Sequence, residues 1–149
     1  MTFPRMDNVG IVVEDLEVAI AFFGELGLAL EGRMKIEGSW ADQVVGLKNI
    51  QSEIAMMKTP DGQGRLELAT YHRPKAGKPN PAIPPSNTLG LHRVMFEVKA
   101  IDDTLARLRN HGAELVGEVA QYEDVYRLCY LHGPGGIIVA LAQKLAGGA

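Results

Sequence analysis

The sequence predicts an α+β fold in which two βαβββ modules form a curved mixed sheet around a cup. Three observations lead to this prediction. The first is a long internal repeat, the second is a helical stripe that ends at a glycine in each copy, and the third is a tight turn before the last strand-like run of each copy. With 149 residues the chain has the size of one domain with a sizeable core, or of two small modules that share one.

The repeat appears when the sequence is shifted by 85 positions, from Val9 to Val94. The stretch VGIVVEDLEVAIAFFGELGLALEG then falls without a gap on VMFEVKAIDDTLARLRNHGAELVG. Apolar residues recur every three to four positions in both copies, which is typical of one face of a helix. They pair as Leu16 with Ile101, Ile20 with Leu105 and Phe23 with Leu108. Gly27 and Gly112 follow this stripe, where a helix C-terminus favours a left-handed residue, so each copy begins with strand, helix and strand.

The ends of the two copies also correspond. The runs SEIAMMKT and YRLCYLH predict partner strands, and the turns in TPDGQGRLELA and GPGGIIVALA predict hairpins that lead into the last strands. Between the copies, HRPKAGKPNPAIPPSNTLG holds five of the eight prolines and predicts an extended linker. We therefore predict one domain over residues 5–144, with module 1 at about 5–72, the linker at about 73–89 and module 2 at about 90–144.

The composition and charge of the chain indicate which kinds of binding partner are not expected. The chain is 46% hydrophobic and 22% charged, as is usual for a globular protein, and its net charge of −3 is spread without blocks. This charge pattern favours neither nucleic acid nor an acidic membrane surface as a partner. No apolar run has the length of a membrane helix, and MTFPRMDN does not resemble a signal peptide. The single Cys129 excludes an internal disulfide, and we expect a cytoplasmic protein.

Strand alternation decides which side chains share a face. The stretch HRVMFEV places His92 beside Arg93, so only one of them is able to point toward the concave side. The wholly apolar sets are expected to pack under the helices. They comprise Val9, Ile11, Val13, Leu66, Leu68, Val94, Phe96, Val98, Val139 and Leu141. The opposite, mixed sets comprise Asn8, Gly10, Val12, Glu67, Ala69, Arg93, Met95, Glu97, Ile138, Ala140 and Ala142. Arg93 therefore faces the concave side, and the repeat equates Asn8 with Arg93 and Glu67 with Ala140.

These residues carry a resemblance to a known family. The paired modules, the openings DNVGIVVEDLEVAIAFF and GLHRVMFEV, and the ending PGGIIVALA resemble the vicinal oxygen chelate (VOC) superfamily. This superfamily includes glyoxalases, bleomycin-resistance proteins, extradiol dioxygenases and methylmalonyl-CoA epimerases. The resemblance covers about residues 5–144 and is more specific for the fold than for the reaction. It also implies a homodimer, because pairing of chains often completes or stabilises the cup in relatives.

The resemblance implies four metal-binding positions, one on the first and one on the last strand of each module. They fall here on Asn8, Glu67, Arg93 and Ala140, and only Glu67 matches the His and Glu ligands of metal-dependent relatives. Arginine stays protonated, alanine has no donor atom and asparagine is at best a weak oxygen ligand. We therefore expect no metal cofactor, because three of the four ligands are missing.

Glu67 and Arg93 are expected to lie close together if the cup forms as it does in the relatives. One interpretation is an ion pair that occupies the space in which relatives bind the metal. The other is a ligand site in which Arg93 holds a carboxylate, phosphate or enolate oxygen and Glu67 is a base or a second polar anchor. A nearby arginine lowers the pKa of a carboxyl, which argues against proton abstraction by Glu67. Glu97 lies on the same mixed face, as either a solvated surface residue or a competing partner for Arg93.

Other residues are candidates for lining the cup. Asn8 offers hydrogen bonds, and Met56, Met57 and Met95 offer an adaptable apolar lining. Trp40 lies in the segment that covers the cup mouth in relatives, as either a core residue or a platform for a ligand. Tyr126 and Tyr130 share one face of their strand, but the sequence does not determine which one. The histidines His72, His92, His111 and His132 are interpreted as solvated or capping residues at a strand end, an outer face, a helix end and a turn.

Two functions remain open at this point. The first is a protein of the bleomycin-resistance kind that binds a small anionic or aromatic molecule in a metal-free cup, with Arg93, Asn8, Glu67, Met95, Trp40 and Met56 as ligand-binding residues. The alternative is a glyoxalase-like or dioxygenase-like enzyme, a lyase, isomerase or oxidoreductase, with an atypical site in which Glu67 is catalytic. The missing metal ligands favour the first.

Overall fold

The computed structural model describes residues 5–90 and 92–146. The chain divides into two compact units, Met1–Gly77 and Lys78–Ala149, and the division falls inside the predicted linker. Each unit holds a four-stranded mixed sheet with its helices, which confirms the α+β class. Among the described residues, no helix has the length and apolar character needed to cross a membrane.

The first unit follows the predicted βαβββ order with one additional helix. Its elements are β1 (Val9–Val12), α1 (Leu16–Glu25), β2 (Ala29–Glu37), α2 (Ser39–Val45), β3 (Gln51–Lys58) and β4 (Arg65–Arg73). The strands lie in the order β1-β4-β3-β2. Only β1 and β4 run parallel, with Val9 beside Leu66 and Gly10 beside Glu67. Because β4 lies next to β1, the first and last strands of the module bring their side chains together.

The second unit repeats this arrangement. Its elements are β5 (Arg93–Glu97), α3 (Ile101–Arg109), β6 (Ala120–Tyr122), β7 (Tyr126–His132) and β8 (Ile138–Lys144), with a short 3-10 helix at Pro134–Gly136 in the last turn. The strand order β5-β8-β7-β6 matches that of the first unit element by element. The structure therefore confirms the duplication that the sequence repeat predicts.

The two repeated helices end in the same way. Gly27 and Gly112 have φ angles of 98° and 83°, which are left-handed values that favour glycine. One residue later, the Leu28 N–H donates to the Phe23 carbonyl at 3.1 Å and the Ala113 N–H donates to the Leu108 carbonyl at 3.3 Å. These are the bonds of a Schellman ending, and they turn both chains toward the next strand.

The starts of the two helices differ, because the repeat replaces an aspartate by an alanine. Asp15 caps α1, and its carboxylate accepts a bond from the Val18 N–H at 3.2 Å. At the equivalent position before α3 stands Ala100, which has no side-chain acceptor. The Gln143 side chain of β8 takes over instead, because its Oε1 accepts from the Ile101 N–H at 2.8 Å. In the second module, the helix start is thus stabilised by a residue from the last strand.

Replacing Gln143 by alanine is expected to lower the free energy of unfolding by about 1 kcal/mol, the usual value of a lost helix cap. Chemical denaturation measures the change. Ala100→Asp in the same background restores stability, because it supplies the local cap that Asp15 supplies in α1. Gln63→Ala, in an exposed turn, is the control and leaves stability unchanged. A Gln143→Ala protein as stable as the parent contradicts this account of α3.

The predicted alternation of faces is confirmed. The side chains expected under α1, among them Ile11, Leu66 and Leu68, are buried, and Val12 is exposed. In the second unit Val139 and Leu141 are buried under α3. Ile138 and Ala140 on the opposite face are buried as well. Both lie on β8, an inner strand of the sheet, and long side chains from its two neighbours reach each other across it.

Candidate functional site

The strand register of the second unit defines one face that carries the candidate residues. Arg93 pairs with Ile138, and Ile138 with His132. Met95 pairs with Ala140, and Ala140 with Tyr130. Side chains of paired residues point to the same side of a sheet. We call this surface the Arg93 face, and it consists of Arg93, Met95, Ile138, Ala140, Tyr130 and His132.

Arg93 is held at this face by Tyr130. Its Nη1 donates a hydrogen bond to the Tyr130 hydroxyl at 2.5 Å, and its guanidinium carbon lies 5.0 Å from the centre of the Tyr130 ring. The two residues stand on strands that flank β8, about 9.5 Å apart at two strand spacings. Their side chains therefore meet above β8, which explains why Ala140 beneath them is 0% exposed.

The contact leaves most of the binding capacity of Arg93 available. A guanidinium has five N–H donors, and the bond to Tyr130 uses one of them. The Nε and Nη2 side remains able to form a two-bond contact with a carboxylate or phosphate. Among the described residues, no carboxylate forms an ion pair with Arg93. The Tyr130 hydroxyl accepts the bond from Arg93, so its own proton stays available to a ligand oxygen.

Glu97 does not compete for Arg93. Its carboxylate lies 3.1 Å from Nζ of Lys144, the end residue of β8. This ion pair is exposed and contributes little to stability. It nevertheless engages the carboxylate of Glu97, the acidic side chain of β5. The residue pattern of β7 alone does not assign Tyr130 to a face of the sheet, but the position of the Pro-Gly-Gly turn between β7 and β8 does. Counting back from that turn aligns β7 with β8 and places Tyr130 beside Ala140.

In the first unit Glu67 lies in a row of paired residues that includes two glycines. This row crosses the four strands and consists of Gly10, Glu67, Met56 and Gly32. The Cβ position of Gly10 has nothing within 4 Å, and the same is true of Gly32. The carboxylate of Glu67 forms no ion pair or side-chain hydrogen bond with any residue of the described ranges. Glu67 and Met56 are both half-buried and share a face, as predicted.

Other polar groups on this side of the first unit have partners of their own. Arg65 donates two hydrogen bonds to Glu31, at 2.8 and 3.3 Å. These bonds hold the pKa of the Glu31 carboxyl below its usual value and raise the pKa of Arg65. Asn8 donates from Nδ2 to the Asp7 carboxylate at 2.8 Å. Glu67 therefore stands out as the unpaired charged group in its row.

Three further expectations need correction or remain open. Trp40 is 57% exposed on α2, so the interpretation as a core residue is wrong. Met57 is buried under α1 and does not line the mixed face, whereas Met95 is 50% exposed on the Arg93 face. Glu67 and Arg93 belong to different units, and their closeness stays a prediction.

His132 is also placed differently from the expectation. It is the last residue of β7 and belongs to the Arg93 face, rather than lying in the turn that follows. Its Nδ1 is buried and has no hydrogen-bond partner. His92 precedes β5, so Arg93 is the residue that begins the strand.

A comparison with protein families identifies the fold. Residues 7–130 match the model of the glyoxalase/bleomycin resistance protein/dioxygenase superfamily. The chain belongs to this superfamily. A crystal structure of a glyoxalase family protein from Bacillus cereus is similar at 53% sequence identity and a TM-score of 0.92, covering 98% of this chain and 97% of that one. No curated protein matches the chain significantly.

More distant superfamily members share the fold alone. A glyoxalase/dioxygenase from Nostoc punctiforme has 18% identity and a TM-score of 0.65, covering 95% of this chain and 91% of its own. The fosfomycin resistance protein FosX from Listeria monocytogenes, in a complex with Mn(II) and sulfate, has 10% identity and a TM-score of 0.62, covering 99% and 95%. These likenesses say nothing about the ligand of this chain.

The metal-binding positions implied by the superfamily do not fit a metal centre here. Of Asn8, Glu67, Arg93 and Ala140, only Glu67 offers an anionic oxygen. The Arg93 guanidinium is a donor, and its contact with Tyr130 spans the space above Ala140. Among the described residues, no group of three or more His, Cys, Asp or Glu side chains is arranged to hold a metal ion.

Proposed function

We propose that this protein binds a small anionic molecule, and that Arg93 is the residue that holds the anion. The observation that carries the proposal is the state of the Arg93 side chain. Its plane is oriented by the ring and hydroxyl of Tyr130, and no carboxylate of the described residues neutralises it. A guanidinium oriented by a neutral partner is prepared for a carboxylate or a phosphate, because little rotational freedom is lost on binding.

The surroundings of Arg93 favour a ligand with an apolar or aromatic part. Met95 is half exposed beside it, and a methionine adapts its shape to different apolar groups. The Tyr130 hydroxyl adds a donor next to the guanidinium. We propose Glu67 as a polar anchor in the first unit, since its carboxylate has no partner among the described residues, and we propose binding without a divalent metal.

Matched pairs of compounds test the anion-binding proposal. We expect benzoate and phenyl phosphate to bind and to raise the melting temperature, whereas benzamide and phenol, which have the same ring but no charge, do not. Titration calorimetry at two salt concentrations should show weaker binding at the higher one, because salt screens an exposed guanidinium. Equal binding of the charged and neutral members of each pair contradicts the proposal.

Metal analysis tests the second part of the proposal. Protein purified without chelator is expected to hold no stoichiometric Mn, Fe, Ni or Zn. A stoichiometric metal that is lost in the Glu67→Gln variant contradicts a metal-free site and restores the alternative of a metal-dependent enzyme.

We also propose that the protein is a homodimer, as the resemblance implies. Light scattering after size-exclusion chromatography tests this proposal. A cytoplasmic location remains a prediction.

A further inference from the structure

His132 is a polar residue on the Arg93 face that the sequence interpretation did not include in the site. Its Nδ1 is the one buried side-chain nitrogen or oxygen that lacks a hydrogen-bond partner among the described residues. Unpartnered buried polar atoms are rare, and each one calls for a reason in strain or in function. The location of the residue suggests a functional reason.

The second ring nitrogen of His132 is accessible. Nε2 also forms no hydrogen bond within the described residues and, unlike Nδ1, it is not fully buried. A buried N–H without an acceptor costs more than a buried lone pair without a donor. Of the two tautomers, the burial of Nδ1 therefore favours the one that carries the proton on Nε2, which makes this side of the ring a hydrogen-bond donor.

The neighbours of His132 place this donor near the anion site. Tyr130 lies two residues earlier on the same strand and face, about 7 Å away along β7. Ile138 separates His132 from Arg93 in its row. On the other side of β7, the His132 N–H donates to the Glu114 carbonyl at 2.9 Å, but the Glu114 carboxylate forms no ion pair with His132.

We infer that His132 is a specificity-determining residue that donates a hydrogen bond from Nε2 to the ligand held by Arg93. This inference rests on the proposed function and extends it. Arg93 supplies the charge and the two-bond contact, and His132 supplies a further donor on the β7 side of the same face. Together they select an anion that carries an acceptor atom on this side, such as a further phosphate oxygen, over a small carboxylate.

Two substitutions separate this role from a structural one. In Gln, the amide Nε2–H replaces the imidazole Nε2–H, whereas Phe keeps the ring and removes both nitrogens. We expect His132→Phe to weaken binding of phenyl phosphate about tenfold, and His132→Gln to remain within about threefold of the parent. The melting temperature of the free His132→Phe protein should not fall, because the substitution removes an unsatisfied buried atom. A purely structural histidine would show the opposite, with a loss of stability and unchanged affinity.

Nuclear magnetic resonance tests the inference on the unaltered protein. Long-range nitrogen–proton spectra are expected to show the His132 proton on Nε2, and inorganic phosphate should shift both this signal and the Arg93 Nε–H signal. A proton on Nδ1, or a phosphate response at Arg93 but not at His132, overturns the inference and leaves the proposed function intact. If phosphate, phenyl phosphate and benzoate all leave both signals unchanged, the proposed function fails together with the inference.

Discussion

Replacing Arg93 by methionine is expected to weaken the binding of phenyl phosphate about 100-fold. The substitution keeps an unbranched apolar side chain on the exposed strand position but removes the charge and the two-bond contact. Charge-assisted hydrogen bonds contribute about 1.5–3 kcal/mol each, and every 1.4 kcal/mol corresponds to about tenfold in affinity. Arg93→Lys should also lose about tenfold or more, since a lysine has the charge but not the planar fork. Titration calorimetry measures both changes.

Arg127, in the same unit, provides a matched control for the substitution of Arg93. Arg127 belongs to β7 but points to the other face, where it donates to Asp102 of α3 at 2.7 and 3.1 Å. These bonds lower the pKa of the Asp102 carboxyl and raise that of Arg127. Arg127→Ala removes one positive charge from the unit and should leave affinity within about twofold of the parent. If Arg93→Met and Arg127→Ala lower affinity equally, net charge rather than a specific contact explains the binding.

Replacing Leu68 by alanine is expected to lower the free energy of unfolding by about 2–5 kcal/mol. Leu68 is 0% exposed on β4, between Ile11 of β1 and Ala55 of β3. Truncation there removes apolar contacts and leaves a cavity under α1, because close-packed interiors relax only in part. Urea denaturation followed by circular dichroism measures the change in the midpoint at a constant slope.

Val18→Ala is the control for Leu68→Ala. Val18 is 54% exposed on α1, so its truncation removes few buried apolar contacts. Alanine is also the better helix former. Its effect should stay within about 0.5 kcal/mol. A Leu68→Ala protein as stable as Val18→Ala contradicts the assignment of Leu68 to the core, and with it the register of β4.

Much of the fold was predictable because the repeat presents the same pattern twice. The stripe through Leu16 and its counterpart Ile101, together with the left-handed glycines at 27 and 112, predicted both helices and their ends. Alternation then separated Arg93 from His92 without knowledge of the structure. Helix α2 was missed, since SWADQVV is short and Trp40 and Val44 are exposed on it, so it shows no apolar stripe.

The candidate site was predictable only in part, because its contacts join residues that are far apart in the chain. The candidate Arg93 follows from the repeat and the strand alternation, whereas the bond between Arg93 and Tyr130 depends on how β5, β8 and β7 pair. The replacement of a local helix cap by Gln143 has the same origin.

The sequence by itself determined the duplicated βαβββ order and the superfamily, because periodicity and residue chemistry are properties of the chain. The tertiary structure decided that Tyr130 orients Arg93, that the crossing of these side chains covers Ala140, and that His132 lies in the same row. The physical reason is strand register. Local sequence decides which residues alternate to one face, but only the pairing of distant strands decides which of them become neighbours.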